Sequence, residues 1–379
     1  MFRVLLLVVL SSGFVLQVQR LEATDAWDAA NTHAVIIGVT RWKADLTKYP
    51  RRHRKDKELR ELLIQRGTPA KQISMLLDSE ATLENIRQTI QSSLSATNAN
   101  STLLIYFAGH GWRVGDDFCF ANYDVKLGPK NAKTGWTVKE LANNIYANFN
   151  GRQAIFMADC CHSGGIRLAV EKLQLKGISS FSLTSATEGI TSTGNWTFTQ
   201  LIIDAMEGLP LMDTNRDGII RLGEVRSEIN NAMLHLEGQK SGFHSGGTDD
   251  DFVFGSTNGE VVDLPEIAFP LGSYVRVKGR YGRIVDASNK TPPHYAVEFF
   301  NYASKEVKRY AESELRLSRR NSGQLAVNMP PECEVRWRGQ WYPAKVLREA
   351  DGRWYIHYIE DDHSWDEWVE ADRIRFPIQ

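Results

Sequence analysis

Short apolar runs alternate with amphipathic stretches between about residues 33 and 254 of this chain. Short apolar runs bounded by turn residues indicate buried strands, and apolar positions that recur with a helical period indicate helices. The predicted strands are 34–39, 73–77, 102–107, 153–158, 178–184 and 251–254. The predicted helices are 55–65, 82–94, 138–147, 199–206 and 222–235. This alternation predicts an α/β fold with a mostly parallel six-stranded sheet flanked by helices on both faces.

The hydrophobic pattern changes after a proline-containing link at 262–270. Residues 271–317 and 330–377 contain short alternating strands rich in Val, Tyr, Trp and Arg, with glycine turns and no helical periodicity. The two stretches are similar in layout. They predict two small five-stranded β-barrels that follow an α/β unit at 27–261.

The first 26 residues have a separate pattern. Arg3 precedes an apolar run at 4–10, which 14–16 extend, and a polar segment follows. This layout is typical of a secretory signal peptide, and the run is too short and broken for a stable membrane span. The sequence therefore predicts a secreted or otherwise extracytoplasmic protein, with an uncleaved N-terminal anchor as the alternative.

Length, charge and cysteine content exclude several classes. At 379 residues the chain exceeds one ordinary domain, and its formal net charge of −1 argues against a nucleic-acid partner. The four cysteines are Cys119, Cys160, Cys161 and Cys333. They form neither a CxxC pair nor a disulfide framework, so neither a zinc site nor a disulfide-dependent fold is predicted.

Two motifs follow predicted strands and carry the candidate chemistry. Tyr-Phe-Ala-Gly-His-Gly at 106–111 contains His110, and Asp-Cys-Cys-His-Ser-Gly-Gly at 159–165 contains Cys161. The carboxyl ends of neighbouring parallel strands meet at one sheet edge, where ligands bind. A histidine and a cysteine that meet there suit a nucleophile–base pair for acyl transfer, which favours peptide hydrolysis.

The paired motifs resemble those of the caspase-like cysteine peptidases, and within them the metacaspase branch. The resemblance covers roughly residues 33–255 and implies that Cys161 is the nucleophile and His110 the base. The main-chain N–H groups of Gly111 and Cys161 are the candidate oxyanion hole, because glycine allows close backbone approach. Further marks of the family are Ser185-Ala186 and Thr197-Phe198-Thr199.

The same resemblance implies that two carboxylates, Asp159 and Asp56, recognise a basic P1 side chain, that is, the substrate residue before the cleaved bond. An acidic pocket favours Arg or Lys through charge-assisted hydrogen bonds. The expected partners are therefore proteins or peptides with Arg or Lys at P1. For Asp56 an alternative is that it stabilises a helix N-terminus.

The stretch 213–224 fits the twelve-residue calcium loop of an EF-hand. It places a glycine, Gly218, at position 6. The predicted metal ligands are Asp213, Asn215, Asp217, Ile219 and Glu224. Because no second such loop is present in the sequence, a metal-free turn is the alternative to Ca²⁺ binding.

The second C-terminal stretch resembles a Tudor-like or chromo-barrel module, and we expect both stretches to form SH3-like or Tudor-like barrels. Tyr342, Tyr358 and Trp365 fall at positions of the aromatic cage that binds methylated lysine. Asp361 replaces another cage aromatic, which favours a plain barrel core that docks to a protein ligand, a substrate or the α/β unit.

Two functions remain open at the level of sequence. The first is a secreted metacaspase-like endopeptidase that cleaves after Arg or Lys, with calcium as a candidate modulator. The alternative is a latent or non-catalytic scaffold that binds partners through its barrels. Because all the candidate active-site residues lie before residue 255, the sequence alone predicts that both barrels are dispensable for the chemistry.

Overall fold

The computed structural model describes residues 27–49, 53–114, 117–126, 134–189, 192, 195–257, 269–288, 293–300, 305–318, 332–337, 340–350, 353–358 and 367–375. The predicted signal peptide at 1–26 lies outside these residues. None of the helices they form is long and apolar enough to cross a membrane.

Eleven strands lie in the α/β part of the described chain. In chain order they are β1 (Thr32–Gly38), β2 (Ile73–Leu77), β3 (Thr102–Ala108), β4 (Gly111–Val114), β5 (Asp117–Phe120), β6 (Trp136–Thr137), β7 (Gln153–Asp159), β8 (Ser179–Thr184), β9 (Ile219–Arg221), β10 (Gly242–Gly246) and β11 (Val253–Ser256).

A mixed six-stranded sheet forms the centre, in the order β10-β8-β7-β3-β1-β2. Every neighbouring pair is parallel except β10 with β8. The predicted α/β sheet is thus confirmed, but the strand predicted at 251–254 forms at 253–256 and does not belong to this sheet. Its residues contribute to β11, which pairs with β9 outside this sheet. The sixth strand is β10, whose Gly-Phe-His-Ser-Gly sequence has no apolar run.

Six α-helices of the described chain cover the sheet: α1 (Lys55–Gln65), α2 (Leu83–Ser95), α3 (Val138–Asn148), α4 (Arg167–Gln174), α5 (Thr197–Glu207) and α6 (Leu222–Ala232). Helices α2, α3 and α4 pack on one face of the sheet, and α1, α5 and α6 pack on the other. Each face has one apolar cluster, which its three helices share with the strands. Side chains of β1, β3 and β7 are buried on both faces, which explains their nearly continuous apolar sequences. Helix α4 was not predicted, and α6 continues into a π-helical turn at Met233–Glu237.

Two further sheets of the same design follow. The first contains β12 (Tyr274–Val277), β13 (Arg280–Ser288), β14 (His294–Phe300), β15 (Lys305–Ala311) and β16 (Arg316–Leu317). The second contains β17 (Glu332–Trp337), β18 (Gln340–Ala350), β19 (Arg353–Tyr358), β20 (Glu367–Val369) and β21 (Ile374–Arg375). Their strand orders, β15-β14-β13-β12-β16 and β20-β19-β18-β17-β21, are equivalent. Each surrounds a small apolar core, as expected of tandem barrel-like modules.

The first barrel is joined to the α/β part by a buried charged cluster. The guanidinium of Arg283 in β13 is fully buried and pairs with Glu228 of α6 at 3.0 Å and with Asp204 of α5 at 3.3 Å. It also pairs with Glu298 of β14 at 3.0 Å. Tyr274 donates its hydroxyl to Glu228 at 2.5 Å, and its ring belongs to the apolar cluster of the α/β part. Strand β18 of the second barrel packs against β4.

Candidate active site

His110 and Cys161 follow neighbouring strands, as the motifs predict. Strands β3 and β7 run parallel with Ala108 opposite Asp159, and Gly109 N–H donates to the Asp159 carbonyl at 3.3 Å. Gly111 then lies against the nucleophile segment: a Cβ at Gly111 would come within 2.2 Å of the Cys161 carbonyl oxygen. Only glycine allows this approach, so the sequence places the histidine loop and the cysteine loop side by side.

The half-buried ring of His110 packs against residues that follow β1. It contacts the rings of Trp42 and Tyr49 in tilted geometry, with ring centroids 4.5 and 4.8 Å away. Its Nε2 lies 2.9 Å from the Thr47 carbonyl oxygen, and its Nδ1 lies 2.9 Å from the Tyr49 hydroxyl. Burial lowers the pKa of His110 to about 4, although the bond to Thr47 opposes this shift. The imidazole is therefore neutral near pH 7 and has the charge state of a base.

The thiol of Cys161 lies beneath the segment that follows β8. The Ser192 N–H donates to Cys161 Sγ at 3.1 Å. The neighbouring His162 has a left-handed backbone (φ 53°), and its Nδ1 lies 2.8 Å from the Glu188 carbonyl oxygen. The preceding Cys160 is buried, which agrees with a packing role. These contacts place Glu188 and Ser192 next to the Cys161–His162 segment.

Asp159 is the carboxylate nearest this centre in sequence, and its side chain is buried. Thr199 Oγ1 donates to its Oδ2 at 2.6 Å, and the Ser185 hydroxyl also bonds to it. Both partners belong to the family marks identified in the sequence. Burial raises the pKa of Asp159 to about 6, and the two hydroxyls oppose this shift.

A small cavity adjoins Asp159. Its volume is about 20 Å³, which is room for about one water molecule. Its lining includes Thr40, Tyr49, Asp159, Cys160 and Ser192. An arginine or lysine side chain would need more room, so substrate entry requires part of this wall to move.

Asp56 is also buried, but its carboxylate forms an ion pair with Arg54. Arg54 Nη2 lies 2.5 Å from Asp56 Oδ2, and Nε lies 3.1 Å from both carboxylate oxygens. The same guanidinium bonds to the Gly38 carbonyl, the Thr40 hydroxyl and Asp78. In this conformation Asp56 therefore ties α1 to the ends of β1 and β2. The sequence analysis did not single out Arg54, because a single arginine in a basic run carries no specific signal.

The predicted calcium loop has the expected turn geometry, but its carboxylates bond to the protein. Asp213 accepts from Asp217 and Gly218 N–H, and Gly218 has a left-handed φ of 87°. Glu224 accepts from Thr214 and Asn215 N–H. Ile219 begins β9. This strand pairs with β11 and not with a second calcium-type loop. Within the described ranges, no three acidic, histidine or cysteine side chains converge on one point.

Two of the predicted cage aromatics can be placed. Tyr342 and Tyr358 meet edge to face, with ring centroids 6.2 Å apart. Tyr358 is buried in the barrel core and donates its hydroxyl to Glu367 at 2.8 Å. Trp365 and Asp361 lie outside the described residues.

Comparison with known proteins identifies both parts of the chain. The model of the caspase domain matches residues 31–307, which extends into the first barrel. The Tudor-knot model, described as the RNA binding activity-knot of a chromodomain, matches residues 330–376. No curated protein gave a significant match.

Solved structures similar to this chain include two with low sequence identity. A protein from Geobacter sulfurreducens is 14% identical over 58% of this chain and 95% of its own, with a TM-score of 0.41. The Drosophila initiator caspase Dronc is 10% identical over 64% of this chain and 91% of its own, with a TM-score of 0.40.

The histidine and cysteine loops at the ends of β3 and β7 therefore lie within a matched domain that covers most of the sequence, and the chain belongs to the caspase-domain family of cysteine peptidases.

Proposed function

We propose that this protein is an endopeptidase that cleaves after Arg or Lys, with Cys161 as the nucleophile and His110 as the base. The observation that carries the proposal is the apposition of Gly111 and Cys161 beside a cavity lined by Asp159. A thiol, an imidazole and a buried carboxylate thus occupy one sheet edge, which suits covalent catalysis with recognition of a cation.

Cys161, His110 and one water molecule account for every proton transfer in the hydrolysis. His110 takes the thiol proton, and the Cys161 thiolate adds to the carbonyl carbon of the scissile bond. The N–H groups of Gly111 and Cys161 stabilise the oxyanion, and the imidazolium then protonates the leaving amine. Water, deprotonated by His110, hydrolyses the acyl-enzyme and regenerates the thiol.

Replacing Asp159 tests the specificity. In Asp159→Asn we expect kcat/KM for an Arg substrate to fall at least about tenfold, equivalent to about 1.4 kcal/mol, because a buried substrate cation loses its counter-charge. A matched Gln substrate should change little. Fluorogenic peptides that differ only at P1 measure both values, and an unchanged Arg-to-Gln ratio would remove Asp159 from the pocket.

The pH profile gives an independent check on the same residue. With its pKa raised to about 6, Asp159 is neutral below that pH and charged above it. The wild-type kcat/KM for the Arg substrate should therefore rise through about pH 6, and Asp159→Asn should lack this rise. His110 becomes charged only near pH 4 and does not account for it.

We also propose that the loop at 213–224 binds Ca²⁺. Support comes from the turn at Gly218 and from the oxygen side chains of Asp213, Asp217 and Glu224. Binding requires Glu224 to release the main-chain N–H groups of Thr214 and Asn215. Calorimetry should show heat of calcium binding in the wild type and a strong reduction in Glu224→Gln. Asp250→Asn, outside the loop, is the control; equal heats for the wild type and Glu224→Gln would mean that the loop is only a turn.

Secretion is a further proposal, supported by the pattern of the first 26 residues. N-terminal sequencing of protein recovered from the culture medium tests it, and an intact Met1 terminus would contradict cleavage.

A further inference from the structure

Tyr49 contacts both the base and the specificity pocket. Its hydroxyl lies 2.9 Å from His110 Nδ1, and the same residue lines the cavity beside Asp159. No motif in the sequence pointed to it, because it lies in an irregular loop between β1 and α1. One side chain therefore contacts both the imidazole of His110 and the cavity beside Asp159.

The hydrogen bonds of His110 fix which nitrogen Tyr49 blocks. Nε2 faces the Thr47 carbonyl oxygen, which only accepts, so Nε2 carries the hydrogen. In the neutral imidazole Nδ1 then holds the lone pair and accepts from the Tyr49 hydroxyl. A nitrogen whose single lone pair accepts this bond cannot take the Cys161 thiol proton at the same time.

The position of Tyr49 is set by its main chain. The Tyr49 N–H donates to the Thr40 carbonyl oxygen at 3.1 Å, and the Arg41 guanidinium donates to the Tyr49 carbonyl oxygen. Thr40 is in turn fixed by Asp78, which accepts from its N–H at 2.8 Å and from its hydroxyl at 3.0 Å. The ring also packs edge to face on Trp42, with centroids 5.8 Å apart. These main-chain and ring contacts fix the position of Tyr49, so its hydroxyl stays within hydrogen-bond distance of His110 Nδ1.

We propose that Tyr49 is a specificity-determining gate, which keeps His110 from acting as a base until a P1 side chain fills the Asp159 pocket. The inference rests on the proposed function. A long basic side chain needs more room than the cavity of about 20 Å³ offers, which fits about one water molecule, and in this gate the Tyr49 ring is the part of the lining that moves aside. Displacement breaks the bond to Nδ1, which then takes the Cys161 proton. A P1 side chain that does not fill the pocket leaves the base capped.

The test uses the full chain with Tyr49→Phe and Tyr49→Ala, and Tyr146→Phe as the control. Phe keeps the ring but removes the hydroxyl, whereas Ala also opens the cavity. Tyr146 lies on the exposed side of α3. The first readout is the rate at which iodoacetamide labels Cys161 at pH 7, followed by peptide mass spectrometry. The second is the ratio of kcat/KM between Arg and Gln substrates.

In Tyr49→Phe we expect Cys161 to be labelled roughly tenfold faster, because Nδ1 is released and the thiolate fraction rises. In both Tyr49 variants the Gln substrate should gain more than the Arg substrate, so the Arg-to-Gln ratio should fall by about tenfold. Tyr146→Phe should match the wild type in both measurements. Circular dichroism verifies that each variant is folded, and Tyr49→Phe suffices if Tyr49→Ala is not.

Labelling that is unchanged or slower in Tyr49→Phe would overturn the capping of His110. Faster labelling with an unchanged Arg-to-Gln ratio would reject the specificity role. If the wild type cleaves neither Arg nor Lys substrates, the proposed function fails and the specificity role fails with it. The labelling rates still decide in that case whether Tyr49 caps the base.

Discussion

Cys161→Ala should lower kcat/KM for an Arg peptide by at least roughly 10⁴-fold while leaving the fold intact. Removal of a covalent nucleophile abolishes the acyl-enzyme route and leaves only the modest rate that binding and the oxyanion hole supply. The thiol is buried beneath the Ser192 region, and Ala fits the same space with the loss of one sulfur atom. Steady-state kinetics with a fluorogenic substrate, together with a thermal melt, separates loss of chemistry from loss of structure.

The adjacent cysteine provides the matched control. Cys160 is buried beside Gly111, since a Cβ at Gly111 would lie 2.9 Å from its sulfur. Cys160→Ser keeps nearly the same shape, so its kcat/KM should stay within a fewfold of the wild type. Comparable activity in Cys161→Ala and the wild type would refute the nucleophile assignment, and a severe loss in Cys160→Ser would move that role to Cys160.

Features that a local pattern determines were predictable from sequence. Helix α1 has the predicted bounds, Lys55–Gln65, because its apolar positions recur with the helical period and face one side of the sheet. The central strands were found for a different reason, which is that burial on both faces requires continuous apolar sequence. His110 and Cys161 were found because glycines and strand ends accompany them within a few residues.

The elements that sequence analysis missed depend on tertiary contacts. Strand β10 is an edge strand with few apolar residues, and its pairing with β8 is what defines it. Tyr49 and Arg54 are positioned by bonds to Thr40, and Arg54 also by a bond to Asp78. Whether Asp56 binds a substrate cation or Arg54 likewise depends on tertiary contacts. The bonds from Arg54 to Gly38, Thr40 and Asp78 hold its guanidinium beside Asp56, and the helix position of Asp56 does not predict them.

The dispensability of the first barrel for chemistry stays a prediction, but its contacts with the α/β part bear on stability. The sequence predicted that residues after 262 are dispensable for chemistry, but Arg283 inserts from β13 between Asp204 and Glu228. Asp204 lies on α5, the helix that also carries Thr199, the hydrogen-bond partner of Asp159. A chain that ends near residue 262 loses the cation that these carboxylates surround. We therefore expect such a truncation to lose stability and to disturb α5.

Arg283→Met should destabilise the protein by about 3–5 kcal/mol, the usual cost of removing one partner from a buried ionic cluster. The variant leaves Asp204, Glu228 and Glu298 facing one another without the cation, and burial already raises the pKa of Glu228. Urea unfolding followed by tryptophan fluorescence measures the loss as a lower midpoint.

The matched control is another arginine in the same barrel. Arg309 pairs with Asp286 at 2.7 Å, but both side chains are more than half exposed, 57% and 55%. Arg309→Met should therefore cost less than about 1 kcal/mol, because water and salt screen an exposed pair. If both variants unfold at the same urea concentration as the wild type, the buried cluster does not hold the barrel in place. If Arg283→Met is selectively destabilised, the first barrel is an integral part of the caspase-family domain, because the charge that joins them is buried between α5, α6 and β13.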